Sequence, residues 1–157
     1  TWSNTGPTPG EAWLGAPGAN GSSTLDQDFF GGGGFGSVTL SFDWNFVNGP
    51  GDQPPPDEFT ATLSYTSEYG GGQSTTLLSV LDSNNPQGGT FTTTVKHIDL
   101  AAVMNISFML DEGVQQSTGT RVELDNVSAT SAIPAPATLA LFGLALTGLG
   151  WSRRRKA

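Results

Sequence analysis

The sequence predicts an all-β protein, a β-sandwich of jelly-roll type, followed by a linker and one C-terminal transmembrane α-helix. Three observations support this class: stretches in which apolar and polar residues alternate, Gly/Pro/Asn-rich turn signals between them, and an uncharged apolar stretch near the C-terminus. Alternation with a period of two is typical of a strand buried on one face only. Seven or eight such strands separated by short turns predict a sandwich of two antiparallel sheets.

The strands follow in order along the chain. A first strand is predicted over residues 24–30, followed by a glycine-rich turn at 31–36. The clearest strand is VTLSFDWNF, residues 38–46, whose inward face would carry Val38, Leu40, Phe42, Trp44 and Phe46. Residues 48–58 contain three consecutive prolines, which cannot donate to a sheet ladder, so this segment must be an exposed loop.

The second half of the domain repeats the pattern. Further strands are predicted over residues 59–65, 74–81, 90–100, 101–110 and 121–130, with turns or loops at 69–72, 82–89 and 111–120. In the last strand, Leu124 and Val127 have opposite parity. A β-bulge at Asp125–Asn126 would place both on the expected face.

Composition and charge restrict the function. The chain of 157 residues contains no cysteine, which excludes disulfides, Cys-ligated zinc and a thiol nucleophile. All fourteen acidic residues precede Ile133, where only Lys96 and Arg121 oppose them, giving this part a formal charge of −12. Such a surface repels phosphates, so we expect no nucleic-acid partner.

The C-terminal stretch ATLALFGLALTGLGWS, residues 137–152, is uncharged. As a helix it would be about 24 Å long, so it would cross a hydrocarbon core of about 30 Å with local thinning of the bilayer. The cations behind it should stay cytoplasmic. The alternative is a core helix buried in the domain, which would have no use for terminal cations.

These features divide the chain into five predicted segments. They are an irregular N-terminal segment (1–24), the β-sandwich (25–130), a linker with a Pro-x-Pro motif (131–136), the transmembrane helix (137–152) and a basic cytoplasmic tail (153–157). We expect the linker to be exposed and the sandwich to fold without the helix.

The C-terminal sequence IPAPATLALFGLALTGLGWSRRRKA resembles the PEP-CTERM sorting signal of bacteria that make extracellular polysaccharide. That signal consists of a Pro-Glu-Pro motif, an apolar helix and an Arg cluster. The corresponding residues here are Pro134, Ala135, Pro136, Arg153, Arg154, Arg155 and Lys156. Ala135 departs from the pattern, because the family usually has Glu at this position.

The resemblance implies a route through the cell. The chain would be held in the inner membrane during export and then cut at the motif by exosortase, a membrane cysteine protease. The product would be released or transferred to the cell surface, where the biofilm matrix is one destination. The alternative is a membrane-anchored protein that is never cut.

No catalytic residues are expected in the body, and no cofactor. His97 is the only histidine and lacks the partners of a catalytic triad. The acidic pairs Asp57–Glu58 and Asp111–Glu112 would be needed for glycosidase chemistry, but in so acidic a chain they are expected to be solvated surface groups. The sequence therefore favours a non-enzymatic surface or matrix protein.

Two binding functions stay open. A structural calcium ion would need six to eight oxygen ligands, for which Asp26, Asp28 and Asp125 are candidates. A carbohydrate-binding module would use exposed aromatic side chains against extracellular polysaccharide. Trp13, Tyr65 and Tyr69 are the candidates for that role, whereas Trp44 is expected in the core.

Overall fold

The computed structural model describes residues 11–15, 21–47, 56–81, 87–112 and 120–134. They form eight β-strands: β1 (Ala12–Leu14), β2 (Gly21–Phe29), β3 (Phe35–Val47), β4 (Glu58–Thr66), β5 (Gly72–Leu81), β6 (Gln87–Asp99), β7 (Met104–Glu112) and β8 (Arg121–Ala132). All-β structure is confirmed for these ranges.

The strands form two four-stranded sheets in which every neighbouring pair is antiparallel. The first sheet has the order β1-β8-β3-β6 and the second the order β2-β7-β4-β5. Six of the seven connections between consecutive strands pass from one sheet to the other, and only β4 and β5 form a hairpin within a sheet. The chain is therefore a β-sandwich, as predicted.

One hydrophobic core lies between the two sheets. Phe42 of β3 is fully buried and packs edge-on against Phe108 of β7, with ring centroids 5.0 Å apart. The predicted inward face of β3 is confirmed, because its even-numbered apolar residues are buried or pack against the core. Trp44 is only half-buried, and its ring lies 6.0 Å from that of Phe59.

The predicted bulge in β8 is present. Asp125 pairs with Asp43 and Ser128 with Ser41, so Asn126 and Val127 both lie opposite the single residue Phe42. Asn126 has φ = 51°, in the left-handed region that Asn tolerates better than most residues. The bulge is present, but it does not bury Val127 as expected: this side chain is 39% exposed, whereas Leu124 is buried.

The sandwich extends beyond both predicted boundaries. β1 lies within the segment expected to be irregular, where it pairs with β8 and buries Ala12 and Leu14. β8 continues to Ala132, paired with Ser37, so the first two residues of the predicted linker belong to the sheet. Strand pairing decides both ends, and a three-residue strand is too short to show alternation in the sequence.

The transmembrane helix predicted over 137–152 and the tail at 153–157 lie outside the described residues. Within the described ranges, no helix has the length and apolar character needed to cross a membrane.

Candidate functional site

The segment that leads to the Pro-x-Pro motif leaves the sandwich at one end, which we call the exit end. It comprises residues 30–34, 67–71, 100–103 and 133–134, which are three connections between strands and the two described residues after β8. Backbone hydrogen bonds join the first and third segments: Gly31 donates to Leu100 (3.2 Å) and Leu100 donates to Gly34 (2.8 Å). The Ser131 hydroxyl donates to the Gly31 carbonyl at 2.6 Å, which attaches the end of β8 to the same structure.

A second bulge shapes the exit end. Gly36 pairs with Ile98 and Ser37 with Lys96, so His97 is the extra residue in β6, and its φ is 63°. This backbone turn directs His97 toward the β4–β5 turn. Its carbonyl accepts a hydrogen bond from the Glu68 amide at 2.8 Å, and its Nδ1 lies 2.6 Å from Glu68 Oε1.

The Glu68 carboxylate is stabilised in its charged form. Hydrogen bonds from the Tyr69 side chain and the His97 ring hold the pKa of Glu68 below the ordinary glutamate value. The same contact with Glu68 raises the pKa of Tyr69. The Tyr69 ring lies 5.9 Å from the His97 ring. Histidine, glutamate and tyrosine thus form a small cluster that links the two sheets.

A cavity of about 310 Å³ lies beside this cluster. Its lining residues are Phe35, Gly36, Ser37, Glu68, Lys96, His97 and Pro134. Pro134 is the first proline of the Pro-x-Pro motif, and it is exposed. The other predicted sorting residues, Ala135, Pro136, Arg153, Arg154, Arg155 and Lys156, lie outside the described residues.

The outer face of the first sheet is a second polar surface. Its alternate positions on β3 are Thr39, Ser41, Asp43 and Asn45; the first three pair with threonines on β6 and the last pairs with a glycine. Thr39 and Ser41 each share a 2.9 Å hydrogen bond with the threonine opposite. The side-chain amide of Asn126 (2.7 Å) and the Thr90 hydroxyl (2.5 Å) donate to the Asp43 carboxylate. These two hydrogen bonds hold the pKa of Asp43 below its ordinary value.

This polar surface ends at an exposed tryptophan. Trp13 is 40% exposed and pairs with Glu123 across the β1–β8 ladder. The Arg121 guanidinium lies 4.7 Å from the Trp13 ring centroid and contacts Glu123 at 2.7 Å. Asn45 donates to the other Glu123 oxygen at 2.8 Å. A ring face, a guanidinium, a carboxylate and an amide therefore lie side by side.

The structure separates the three aromatic candidates for sugar binding. Tyr65 is half-buried and packs against the core. Tyr69 is 80% exposed, but it lies at the exit end. Trp13 is level with Asn45 at the far end of β3, about 30 Å from the level of Gly36 at the spacing of strand residues. Trp13 and Tyr69 do not share a site.

The candidate calcium ligands are also separated. Asp26 and Asp28 lie on the exposed face of β2 in the second sheet, and Asp28 accepts a 2.8 Å hydrogen bond from Asn105. Asp125 lies on β8 in the first sheet, where its carboxylate accepts from the Asn126 amide. The three aspartates therefore do not form one site. In the described part of the chain, no group of three His, Cys, Asp or Glu residues is arranged to hold a metal ion.

The four acids weighed for glycosidase chemistry are not all solvated, contrary to expectation. Asp57 and Glu112 are buried, with 5% and 6% exposure, whereas Asp111 is exposed and Glu58 accepts a hydrogen bond from Ser79. Glu58 pairs with Asp111 across β4 and β7, which brings the two acidic dipeptides to the end of the sandwich opposite the exit end. Composition alone gave no signal for this pairing, since it depends on strand register.

Comparison with solved structures supports the fold. The enzymatically active domain of tailspike protein 4 from bacteriophage CBA120 matches with a TM-score of 0.52 and 11% identity, covering 78% of this chain and 15% of that chain. A structure described as "CBM4 structure and function" matches with a TM-score of 0.43 and 20% identity, over 78% of this chain and 71% of that one. TmCBM61 in complex with β-1,4-galactotriose follows at 0.39 and 14%, over 78% and 69%.

Of these three likenesses, the tailspike match bears on the fold. The tailspike match shows a shared sandwich fold only, because the identity is low and the chain spans less than a sixth of that protein. The other two are too distant to indicate what this chain binds. No curated protein matches the chain significantly.

The C-terminal segment gives a direct identification. Residues 132–155 match the model of the PEP-CTERM protein-sorting motif. The match begins at the last residue of β8 and includes the Pro-Ala-Pro sequence, the apolar stretch and all three arginines. This chain therefore carries a PEP-CTERM protein-sorting motif at residues 132–155, directly after its β-sandwich domain.

Proposed function

We propose that this chain is an exported, non-enzymatic protein of the cell surface or extracellular matrix, held in the inner membrane during export and cut by an exosortase-type protease. The observation that carries the proposal is the sorting motif at residues 132–155. Because the motif begins where β8 ends, cleavage after Ala132 would remove no strand of the sandwich.

The finer fold assignment is a jelly roll. The orders β1-β8-β3-β6 and β2-β7-β4-β5 support it, because two Greek-key connections wrap eight strands into two sheets in this way. In such a fold the N-terminal and C-terminal strands are neighbours, and here β1 pairs with β8. The body would therefore stay intact after processing of its C-terminus.

The contacts of His97 support a non-enzymatic body. Its ring contacts Glu68 and Tyr69, which are neighbours in one exposed turn. Through these contacts His97 joins the β4–β5 turn to β6, which is a structural role.

Intact-mass measurement of the mature protein from the cell surface tests the proposal. Loss of about 20 C-terminal residues, as expected for a helix of this length plus its flanks, would support processing. A full-length C-terminus would instead support the plain membrane anchor.

Two variants sharpen this experiment. Ala135→Glu restores the usual family motif and should increase the processed fraction. Replacement of Arg153, Arg154 and Arg155 by Glu should disturb orientation and processing, because cytoplasmic cations set topology. Unchanged orientation and processing in the triple variant would contradict the sorting function.

A second candidate function is carbohydrate binding on the outer face of the first sheet. The specific observation is the exposed Trp13 ring beside Arg121, Glu123 and Asn45, since an aromatic face with adjacent hydrogen-bonding groups suits a sugar ring. Affinity electrophoresis in gels containing the producer's polysaccharide tests it. Trp13→Ala should abolish retardation and Tyr69→Ala should preserve it; equal mobility of all three proteins with and without polysaccharide would exclude this function.

A further inference from the structure

Among the residues that the structure describes, exposed apolar side chains are concentrated at the exit end. Six large apolar residues of the described ranges are at least half exposed, and five of them lie in or next to the exit-end segments. These five are Tyr69 (80%), Phe30 (67%), Ile133 (59%), Phe35 (54%) and Val103 (50%). The sixth, Leu81, lies at the other end of the second sheet, where it pairs with Glu58.

The tertiary structure creates this concentration. Phe30 and Phe35 flank the β2–β3 turn, Tyr69 lies in the β4–β5 turn, Val103 precedes β7 and Ile133 follows β8. A loop that exposes one apolar residue is ordinary. Here, every described connection at one end of the sandwich exposes an apolar residue, and so does the segment that follows β8. Such a concentration is of the kind that marks an interaction site.

The position of this surface relative to the sorting motif identifies its partner. Only residues 135 and 136 separate Pro134 from the predicted membrane helix that begins at residue 137. Three extended steps of the chain reach about 10 Å, while the headgroup layer on each side of a bilayer is about 5–8 Å thick. The predicted helix of sixteen residues would be short for a bilayer and would draw the body closer still. With this helix in the membrane, the exit end would lie at the level of the lipid headgroups.

The charge distribution favours the same orientation. Glu68 is the one acidic residue within the exit-end segments, and its carboxylate contacts His97. Asp99 adjoins them at the end of β6, where its carboxylate accepts a hydrogen bond from the Ala101 backbone amide at 3.0 Å. Lys96 lines the adjacent cavity. Glu58, Asp111 and Glu112 lie at the opposite end. Anionic lipids would repel a body with a charge of −12 in most orientations, but least with the exit end toward the membrane.

We propose that the exit end docks on the outer surface of the membrane, with its apolar side chains inserted among the lipid headgroups, for as long as the C-terminal helix anchors the chain. Aromatic side chains prefer this interfacial layer. Docking would hold Pro134 and the following motif residues at a fixed height above the bilayer. This inference rests on the proposed function, since it requires the membrane anchor.

Site-specific labels on the full chain test the proposal. Because the chain has no cysteine, single substitutions can carry a fluorophore whose emission is quenched by nitroxide-labelled lipids. Val103→Cys reports on the exit end, and Leu81→Cys, of similar exposure at the opposite end, is the matched control. Leu141→Cys reports on insertion of the helix. The chain is reconstituted in nanodiscs of phosphatidylcholine and phosphatidylglycerol, with the nitroxide either on the headgroup or deep in the acyl chain.

The expected result is quenching of the Leu141 label by the deep nitroxide, and quenching of the Val103 label by the headgroup nitroxide at least about twofold stronger than that of the Leu81 label. Combining Phe30→Ser with Phe35→Ser should remove the difference between Val103 and Leu81 without affecting Leu141. Circular dichroism of the double variant would verify that its strands are intact.

The remaining outcomes overturn the proposal in distinguishable ways. Equal quenching at Val103 and Leu81, together with quenching of the Leu141 label by the deep nitroxide, would show that the helix is inserted but that the β-sandwich does not dock on the membrane. No quenching at Leu141 would remove the anchor of the proposed function and the docking with it. If the fluorescence of the Val103 label changes only after an exosortase-type protease is added, the exit end would bind a protein partner instead of the lipid surface.

Discussion

Glu68 and His97, 29 positions apart in the sequence, are joined by backbone and by side chain. The Glu68 amide donates to the His97 carbonyl at 2.8 Å, and Glu68 Oε1 lies 2.6 Å from His97 Nδ1. The backbone of His97 adopts φ = 63° as the extra residue of a bulge. This pair connects the β4–β5 turn of one sheet to β6 of the other, at the end from which the sorting motif departs.

The pair predicts an acid-sensitive contribution to stability. The pKa of Glu68 is lowered from 4.5 by hydrogen bonds from Tyr69 and His97. The carboxylate therefore stabilises the fold above about pH 4.5 and loses this effect as the pH falls through its lowered folded-state pKa. Thermal melts of the full chain between about pH 6 and pH 3 test this. On acidification, the melting temperature of the Glu68→Gln variant should decrease less than that of the native protein. Parallel pH profiles would contradict the assigned hydrogen bonds.

Phe42 joins the two sheets, and its truncation predicts a large loss. Phe42→Ala should reduce the free energy of unfolding by about 3–5 kcal/mol, because the ring is fully buried against Phe91 and Phe108. Phe30→Ala is the matched control: this side chain is 67% exposed, and its loss should change stability by no more than about 0.5 kcal/mol. Urea denaturation measures both. Similar losses of unfolding free energy in the two variants would contradict the position of Phe42 in the core.

The bulge at Asn126 predicts a dependence on side-chain shape. Asn126→Gly keeps the backbone at φ = 51° without strain but removes the hydrogen bond to Asp43. Asn126→Val places a β-branched side chain in a left-handed conformation, which should lower the free energy of unfolding by a further amount of about 1–2 kcal/mol. Ser128→Val, an exposed position on the same strand, is the control and should be nearly neutral. Equal stability of the Gly and Val variants in urea would contradict the bulge.

Gly36 predicts a steric limit at the start of β3. A Cβ at this position would lie 2.2 Å from the Ala132 carbonyl oxygen, in the backbone of the paired strand. Gly36→Ala should therefore destabilise the protein by about 1–3 kcal/mol. It should also increase amide hydrogen exchange at Ala132. At Gly72 an added Cβ meets nothing within 4 Å, so Gly72→Ala should have little effect on either measurement.

The exit end shows where sequence patterns stop being informative. Phe30 and Phe35 were recognisable as residues at a glycine-rich turn, and Tyr69 as a residue of a hairpin turn. Their common location depends on which strands pair, and pairing is a property of distant segments. The Glu68–His97 contact was hidden for the same reason: no local pattern signals a bulge that brings a histidine to a turn in the other sheet.

The sequence by itself determined the strand pattern of the body and the sorting motif. Alternation along β3 identified its buried face, and the parity change between Leu124 and Val127 located the bulge in β8. The order of prolines, apolar residues and arginines identified the motif at residues 132–155. Each of these signals is local, because both the side-chain direction along a strand and the sorting motif depend only on residues that are close in the sequence.

The tertiary structure alone decided which residues share a surface. It placed the short strand β1 beside β8, where the backbone pairing of Ala12–Leu14 outweighs their weak strand signal. It separated Asp26 and Asp28 from Asp125 onto different sheets, and Trp13 from Tyr69 onto opposite ends. It also brought five exposed apolar side chains to the end that leads to the sorting motif. These outcomes follow from strand order and register, which are set by the burial of a core contributed by both sheets.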